Sequence, residues 1–349
     1  MSVKKKLLET LYAALHYSGA CSIYSKLSKR ESAVALMYHS VSSEKDRDWI
    51  DPDNDMPIDL FEEQMHFLHK NCNVVSLDHL QDLLVNHEPI EPRTVLITFD
   101  DGYRNNLINA APILKKYNLP ATIYLATAYI DSGDPQWIDE LYSYFRHRKS
   151  DHLELPNLGK FNLSTMEEKT KAYSMLKHRM VESTMEERRL ILLQVNKQLG
   201  ATPIPEKLTL SWADLDRIVC EFPNLAIGFH TKSHADLTGL DSSDSAMDIK
   251  NGMLDLERNL GLKPRHFSYP YGKWNDQVRN QVKRAGLHSA ITTEPVPAIT
   301  AVSDIYTLPR IEAPRNKGIL KYMVSGAYPR LSQLIFKRPY EAMPEIRGS

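Results

Sequence analysis

Short apolar runs recur along this chain, each followed after a turn by a stretch with helical spacing, and no other feature constrains the fold as strongly. Ala33-Val34-Ala35-Leu36-Met37-Tyr38-His39 reads as a buried strand that ends on a polar group. Asp59 can cap a helix over Leu60–Lys70, where Phe61, Met65 and Leu68 share one face. Val74–Leu77 reads as a second short strand, with a helix at Asp78–Val85. Thr94–Phe99 is a strand leading through Gly102 into a helix around Asn106–Tyr117, and Ala121–Ala126 is the next strand. Further on come helix Trp212–Glu221, strand Leu225–Phe229 and helix Ser245–Leu260. Strand His266–Tyr269, helix Asp276–Ala285 and strand Ser289–Thr292 continue the series. Strands alternating with helices at this pace mean βα units and a parallel sheet. Seven or so such strands favour an α/β barrel, whose active site belongs at the C-terminal strand ends.

Between about Asp131 and Leu208 the rhythm breaks. Charged helical segments at Met166–Val181 and Met185–Leu199 end at Gly200 and at the Pro203/Pro205 pair, which reads as a helical insertion between two barrel strands. The expected organisation is an N-terminal helical segment over 1–32, a barrel over 33–314 with its insertion at about 131–208, and a C-terminal extension over 315–349. Lys4-Lys5-Lys6 precede an apolar stretch, but Glu9, Thr10 and His16 interrupt it and no cleavage site is convincing. A cytoplasmic protein is therefore expected. Leu7–Leu15 can form an amphipathic helix that lies on the body or peripherally on the inner face of a membrane. Formal net charge is −1, so composition offers nothing to draw a nucleic acid. Cys21, Cys72 and Cys220 have no ligand spacing and read as reduced, mostly buried thiols.

Two short motifs carry chemistry. Thr94–Phe99 ends on Asp100-Asp101-Gly102-Tyr103, and Leu225–Phe229 ends on His230-Thr231-Lys232-Ser233-His234. One carboxylate and two imidazoles make a three-ligand site with open positions for water and substrate, as a catalytic zinc is held. The second carboxylate is left to take a proton. Neighbours at a strand end point different ways, so the two aspartates can do different work. Each motif alone has an ordinary structural reading, as a turn or a chance histidine pair; together, each after a buried strand, they point to metal-assisted hydrolysis.

Those two motifs resemble the first two motifs of the polysaccharide deacetylases, the fourth carbohydrate esterase family. The resemblance covers about Ala33 to Pro314, outside the insertion. It implies a distorted (β/α)7 barrel and a divalent metal, zinc being expected and nickel, cobalt or iron being compatible with the same ligands. It further implies that Asp100 is the general base and that Asp101, His230 and His234 bind the metal. Ser268-Tyr269-Pro270-Tyr271-Gly272 is similar to the third motif, which makes the backbone N–H of Tyr271, after Pro270, the expected oxyanion donor. Ser268 stands where the family commonly has the arginine that orients the base. Arg310, in Leu308-Pro309-Arg310-Ile311, is either its substitute or a structural ion pair. Trp212 and Asp214 are candidates to line the groove, although an N-cap at Ser211 explains much of that stretch.

The family's last motif, a Leu-x-His that supplies the general acid, is missing from the C-terminal region. His288 precedes a strand and so falls at the wrong end of a barrel. His39, after Leu36-Met37-Tyr38, remains as the acid, which requires a circularly permuted barrel whose first strand closes the ring. The expected activity is removal of an N-acetyl group from an amino sugar in a polysaccharide, an oligosaccharide or a glycolipid precursor. A deformylase or other non-peptide amidase of the same fold is the alternative enzyme. A catalytically inactive glycan-binding module is disfavoured, because the base and all three ligands are present.

Overall fold

Seven of the strands pair in parallel, and the two ends of the series meet. The computed structural model describes residues 31–325 apart from 157, 206 and 294–297. Its barrel strands are β1 (Ala33–Tyr38), β2 (Thr94–Phe99), β3 (Ala121–Leu125), β4 (Leu225–Phe229), β5 (His266–Ser268), β6 (Ser289–Thr293) and β7 (Leu308–Glu312). Each pairs with the next in sequence, and β7 returns to β1 with Ala35 opposite Arg310 and Met37 opposite Glu312. The first strand therefore closes the ring between the second and the last. The ring is uneven: β1 and β2 register over six pairs, whereas β4 and β5 share only Phe229 opposite Phe267.

The membership of that ring departs from the sequence reading at two places. The strand expected at Val74–Leu77 is only Asn73–Val74, an edge pairing beside Thr94 and Val95; the far end of the same β2 edge belongs to β3. The seventh barrel strand is β7, which Pro309 conceals because proline removes a ladder donor and argues against a central strand.

Side chains alternate across the ring. Val34, Leu36 and Tyr38 of β1 and Val95, Ile97 and Phe99 of β2 join one apolar cluster with Phe61, Met65 and Leu68 of helix α1 (Ile58–Asn71). Ala33, Ala35 and Leu96 join another with Tyr124, Ile291 and Leu308. The first set faces the surrounding helices and the second fills the barrel. His39 and Asp100 continue the inward series one step past the strand ends. Helix α1 begins after Pro57 with no side-chain cap, so Asp59 is not the cap; it sits in the first turn, where a carboxylate suits the helix dipole. The helix expected over Asn106–Tyr117 opens with a π-helical turn at Asn106–Ala110 before Ala111–Lys116.

The insertion lies between β3 and β4. It contains helices α2 (Trp137–Arg146), α3 (Met166–Val181) and α4 (Met185–Leu199), and an antiparallel hairpin, His152–Leu155 with Gly159–Asn162, that the sequence reading missed. Thr165 caps α3, and Thr184 with Glu187 forms a capping box on α4, which Gly200 ends in the left-handed conformation. The insertion has its own apolar cluster, including Leu141, Phe145, Leu176 and Leu192, and Tyr271 of the barrel packs against it. Beyond position 314, Leu320 and Val324 of the helix Lys317–Val324 pack into the main core. Cys220 is exposed and Cys72 half-buried, contrary to expectation. The N-terminal helical segment, its membrane contact and Cys21 lie outside the described residues. Among the described residues no helix is long and apolar enough to cross a membrane.

Candidate metal centre and active site

A cleft of about 250 Å³ opens at the C-terminal ends of the barrel strands, lined by His39, Asp100, Asp101, His230, His234 and Trp137 among others. A larger groove of about 740 Å³ runs between the outer helices Ser242–Leu260 and Asp276–Arg284 and contains none of these groups.

Both aspartates face the cleft, although adjacent residues on a strand would point apart. Asp101 (φ 71°) and Gly102 (φ 70°) are both left-handed, and this double turn brings the second carboxylate back beside the first. Glycine is required at 102, because an added Cβ would also lie 2.9 Å from the Leu125 side chain. His230 Nε2 lies 3.7 Å from Asp100 Oδ2 and 3.6 Å from Asp101 Oδ1, and His234 Nε2 lies 3.1 Å from Asp101 Oδ1. Just beyond the turn, the Tyr103 hydroxyl donates to Asp139 Oδ2 of the insertion at 2.6 Å.

The two histidines bracket a loop whose shape is set by helix α5 (Ser242–Leu260). The Asp248 carboxylate accepts from the Lys232 N–H at 2.7 Å, from the Ser233 N–H at 3.2 Å and from the Ser233 hydroxyl. Gly252, one turn along α5, lets the helix approach: a Cβ there would meet the Phe229 ring at 2.5 Å. Thr231 and His234 are left-handed, and the Thr231 hydroxyl accepts from the His234 N–H at 2.9 Å. Asp101, Thr231, His234 and Tyr271 are four of the seven left-handed non-glycine residues among those described, a concentration of backbone strain of the kind functional sites store.

Donor chemistry fits a divalent cation. The ligand atoms of Asp101, His230 and His234 lie within 4.8 Å of one another. His230 Nδ1 is 2.7 Å from the Ser268 carbonyl and His234 Nδ1 is 3.1 Å from the Tyr271 hydroxyl. With Nδ1 carrying the proton, each Nε2 turns a lone pair toward the carboxylates. Burial pushes the His230 imidazole down to about 4, keeping it neutral as a ligand must be. Asp101 Oδ1 is buried with no hydrogen-bond partner among the described residues, an oxygen that a cation between the two imidazoles would satisfy.

Asp100 is clamped. Arg310 Nη1 donates to its Oδ1 at 2.7 Å, and Nη2 donates to Oδ2. The same guanidinium donates to the Thr98 hydroxyl at 3.2 Å and the Ser268 hydroxyl at 2.6 Å, and both charged groups are buried. Burial alone would raise the Asp100 carboxyl; the Arg310 charge outweighs it and holds the group below the usual carboxylate range. Ser268, where the motif commonly has arginine, thus braces the arginine that reaches in from β7. His39 lines the cleft at the end of β1, beside the end of β2, its carbonyl fixed by the Asn106 side-chain amide at 2.8 Å. Its imidazole makes no hydrogen bond among the described residues.

Tyr271 brings more than a backbone N–H. It is left-handed in a short turn after the buried Pro270, and its ring lies 4.9 Å from that of His234. Its hydroxyl, pushed up to about 12 by burial, accepts from the Trp137 indole at 3.2 Å. Trp212 is not in the cleft: its indole donates to Asp131 at the surface, and Ser211 and Asp214 form a capping box. The aromatic wall is Trp137, which nothing in its local sequence distinguishes from an ordinary helix start. Gln136 was likewise missed; its amide donates to the Asp101 carbonyl at 3.0 Å.

Comparison with known proteins identifies relatives of the chain. The Bacillus subtilis protein YxkH, named as a polysaccharide deacetylase, is 23% identical over 291 residues, which are 83% of this chain and 74% of that protein. The poly-β-1,6-N-acetyl-D-glucosamine N-deacetylase of Staphylococcus epidermidis is 26% identical over 221 residues, 63% of this chain and 54% of that protein. In fold, the chain resembles the Streptococcus pyogenes deacetylase PplD, solved in complex with acetate, with a TM-score of 0.56 at 17% identity, covering 84% of this chain and 98% of PplD. The sequence pattern of the polysaccharide deacetylases matches residues 87–290, and the chain belongs to that family.

Proposed function

We propose that this protein is a metal-dependent hydrolase that removes an N-acetyl group from an amino sugar in a polysaccharide, an oligosaccharide or a glycolipid precursor. The observation that carries the reading is a single cleft holding three converging ligand atoms beside a second carboxylate clamped by Arg310. Family membership and the named substrate of the staphylococcal relative support the amide of an N-acetylated sugar as the target. Asp101, His230 and His234 would hold a divalent cation, with zinc suited to a carboxylate and two neutral imidazoles. Such a cation supplies Lewis acidity toward the amide carbonyl and makes water a nucleophile near neutral pH.

The chain's own residues supply the rest. Asp100 takes a proton from the attacking water, and Arg310 keeps its carboxylate ionised and aimed. The Tyr271 N–H donates to the oxygen that becomes negative as the carbonyl carbon turns tetrahedral. An amine leaves poorly unless protonated, and His39, which lines the same cleft at the end of the strand next to that of Asp100, delivers that proton. The first-in-sequence position of β1 is compatible with this, since its end meets the end of β2. Incubating the metal-loaded protein with free, oligomeric and lipid-linked N-acetylhexosamine tests the reading. Acetate release is expected from at least one of them. Formate release from N-formyl sugars without acetate release would point to the deformylase alternative, and release of neither would refute the reading.

A further inference from the structure

We propose that Arg188, on α4 of the insertion, is a positioning residue for His234, so that the insertion is a working part of the metal centre. The inference rests on the metal reading given above.

The Arg188 guanidinium is almost fully buried and forms no ion pair with a carboxylate among the described residues. A buried cation without a counter-charge is costly, so its contacts must repay the lost hydration. Two of them belong to the insertion. Nε donates to the Met180 carbonyl at 2.7 Å and Nη2 to the Val181 carbonyl at 3.4 Å. Those are the last two residues of α3, whose end carbonyls lack partners within the helix, and a cation suits the negative end of its dipole. A helix cap would need no more.

The third contact leaves the insertion. Nη1 donates to the His234 carbonyl at 3.0 Å, gripping a residue held at φ 52°. The planar group also lies 5.4 Å from the Trp137 ring centre and 5.9 Å from that of Tyr271. Tyr271 in turn takes the Trp137 indole N–H and faces His234 Nδ1. The backbone of His234 is thus held by Arg188 directly, and its ring through a tyrosine that Arg188 and Trp137 hold between them. His230 is different: its Nδ1 partner is the Ser268 carbonyl of the barrel. Both Nδ1 partners lie on the barrel, but only that of His234, Tyr271, is itself held by the insertion.

Chelator competition for Zn2+ on the full chain tests this, using wild type, Arg188→Met, Arg188→Lys and Leu176→Ala. Leu176 is buried in the insertion core and is not among the residues lining the cleft, so its loss reports insertion stability. Arg188→Met is expected to weaken Zn2+ binding by about 10–100-fold, as loss of a group that orients a ligand does. Arg188→Lys keeps a charge but cannot serve three carbonyls from a planar fork, and an intermediate loss is expected. Leu176→Ala is expected to melt earlier yet bind Zn2+ like wild type. Wild-type affinity in Arg188→Met would overturn the inference, as would an equal loss in Leu176→Ala. Should Arg188→Met not fold, Arg188→Lys decides: weakened binding supports the role and wild-type binding removes it. Absence of Zn2+ binding by wild type itself is a distinct result, refuting the metal reading and this inference together.

Discussion

Arg310→Met removes the guanidinium that clamps Asp100 while keeping most of the apolar stem. Asp100 is only 3% exposed, and without Arg310 its remaining side-chain hydrogen bond is from the Ser268 hydroxyl at 3.4 Å, with His230 Nε2 at 3.7 Å. Breaking a buried ion pair from one side costs about 3–5 kcal/mol, because the abandoned charge stays desolvated. Against a typical stability of about 5–15 kcal/mol that is a large loss, readily seen in urea unfolding. Asp100→Asn strands the cation instead and is expected to destabilise as well. The double variant Asp100→Asn/Arg310→Met strands neither charge, so its stability is expected to recover well above the sum of the single losses. The coupling should reach the upper part of the range of about 0.5–3 kcal/mol seen for contacting residues. Turnover should follow the same logic. If Arg310 acts through Asp100, its loss cannot exceed the general-base share of about 10²–10⁴-fold, and the double variant should be no slower than Asp100→Asn. Acetate release under matched metal loading provides the assay. Losses that simply add, in stability and in turnover alike, would refute the idea that the arginine works through this carboxylate.

Other expectations follow from the same cleft. His39→Ala should lose about 10²–10⁴-fold in turnover while retaining its metal and fold; a variant with near-normal turnover would return His39 to a structural role. Burial pushes the Asp139 carboxyl up to about 8, although Tyr103 and the Asp51 N–H both donate to it. The folded chain therefore keeps a proton there that the unfolded chain releases near its ordinary value, and stability should fall as pH rises from roughly 4 to 8. Asp139→Asn, which cannot titrate, should flatten that fall in urea unfolding, and an identical pH slope in both proteins would count against it.

What the sequence revealed depended on distance along the chain. Asp100-Asp101 and His230 with His234 were legible because each pair is contiguous or nearly so and follows a strand that pattern alone identifies. Their partners were harder to read: Arg310, 210 positions from Asp100, was a candidate left open between orienting the base and a structural ion pair, and Arg188, 46 positions from His234, was not seen at all. Facing carboxylates were also concealed, since two-residue alternation gives opposite directions and only the left-handed turn at Asp101 and Gly102 reverses that. Pro309 masked β7, while Val74–Leu77 mimicked a barrel strand it does not form. Trp212 was a groove candidate but its indole turns to Asp131 at the surface; the indole that lines the cleft belongs to Trp137, placed there by an insertion whose tertiary packing leaves no local mark.

Metal content and turnover measured side by side in wild type, Asp100→Asn and His234→Ala test the division of labour most directly. Stoichiometric divalent metal is expected in wild type and in Asp100→Asn, with little in His234→Ala, and acetate release only in wild type. Equal metal in His234→Ala, or near-normal turnover in Asp100→Asn, would contradict the assignment of ligand and base.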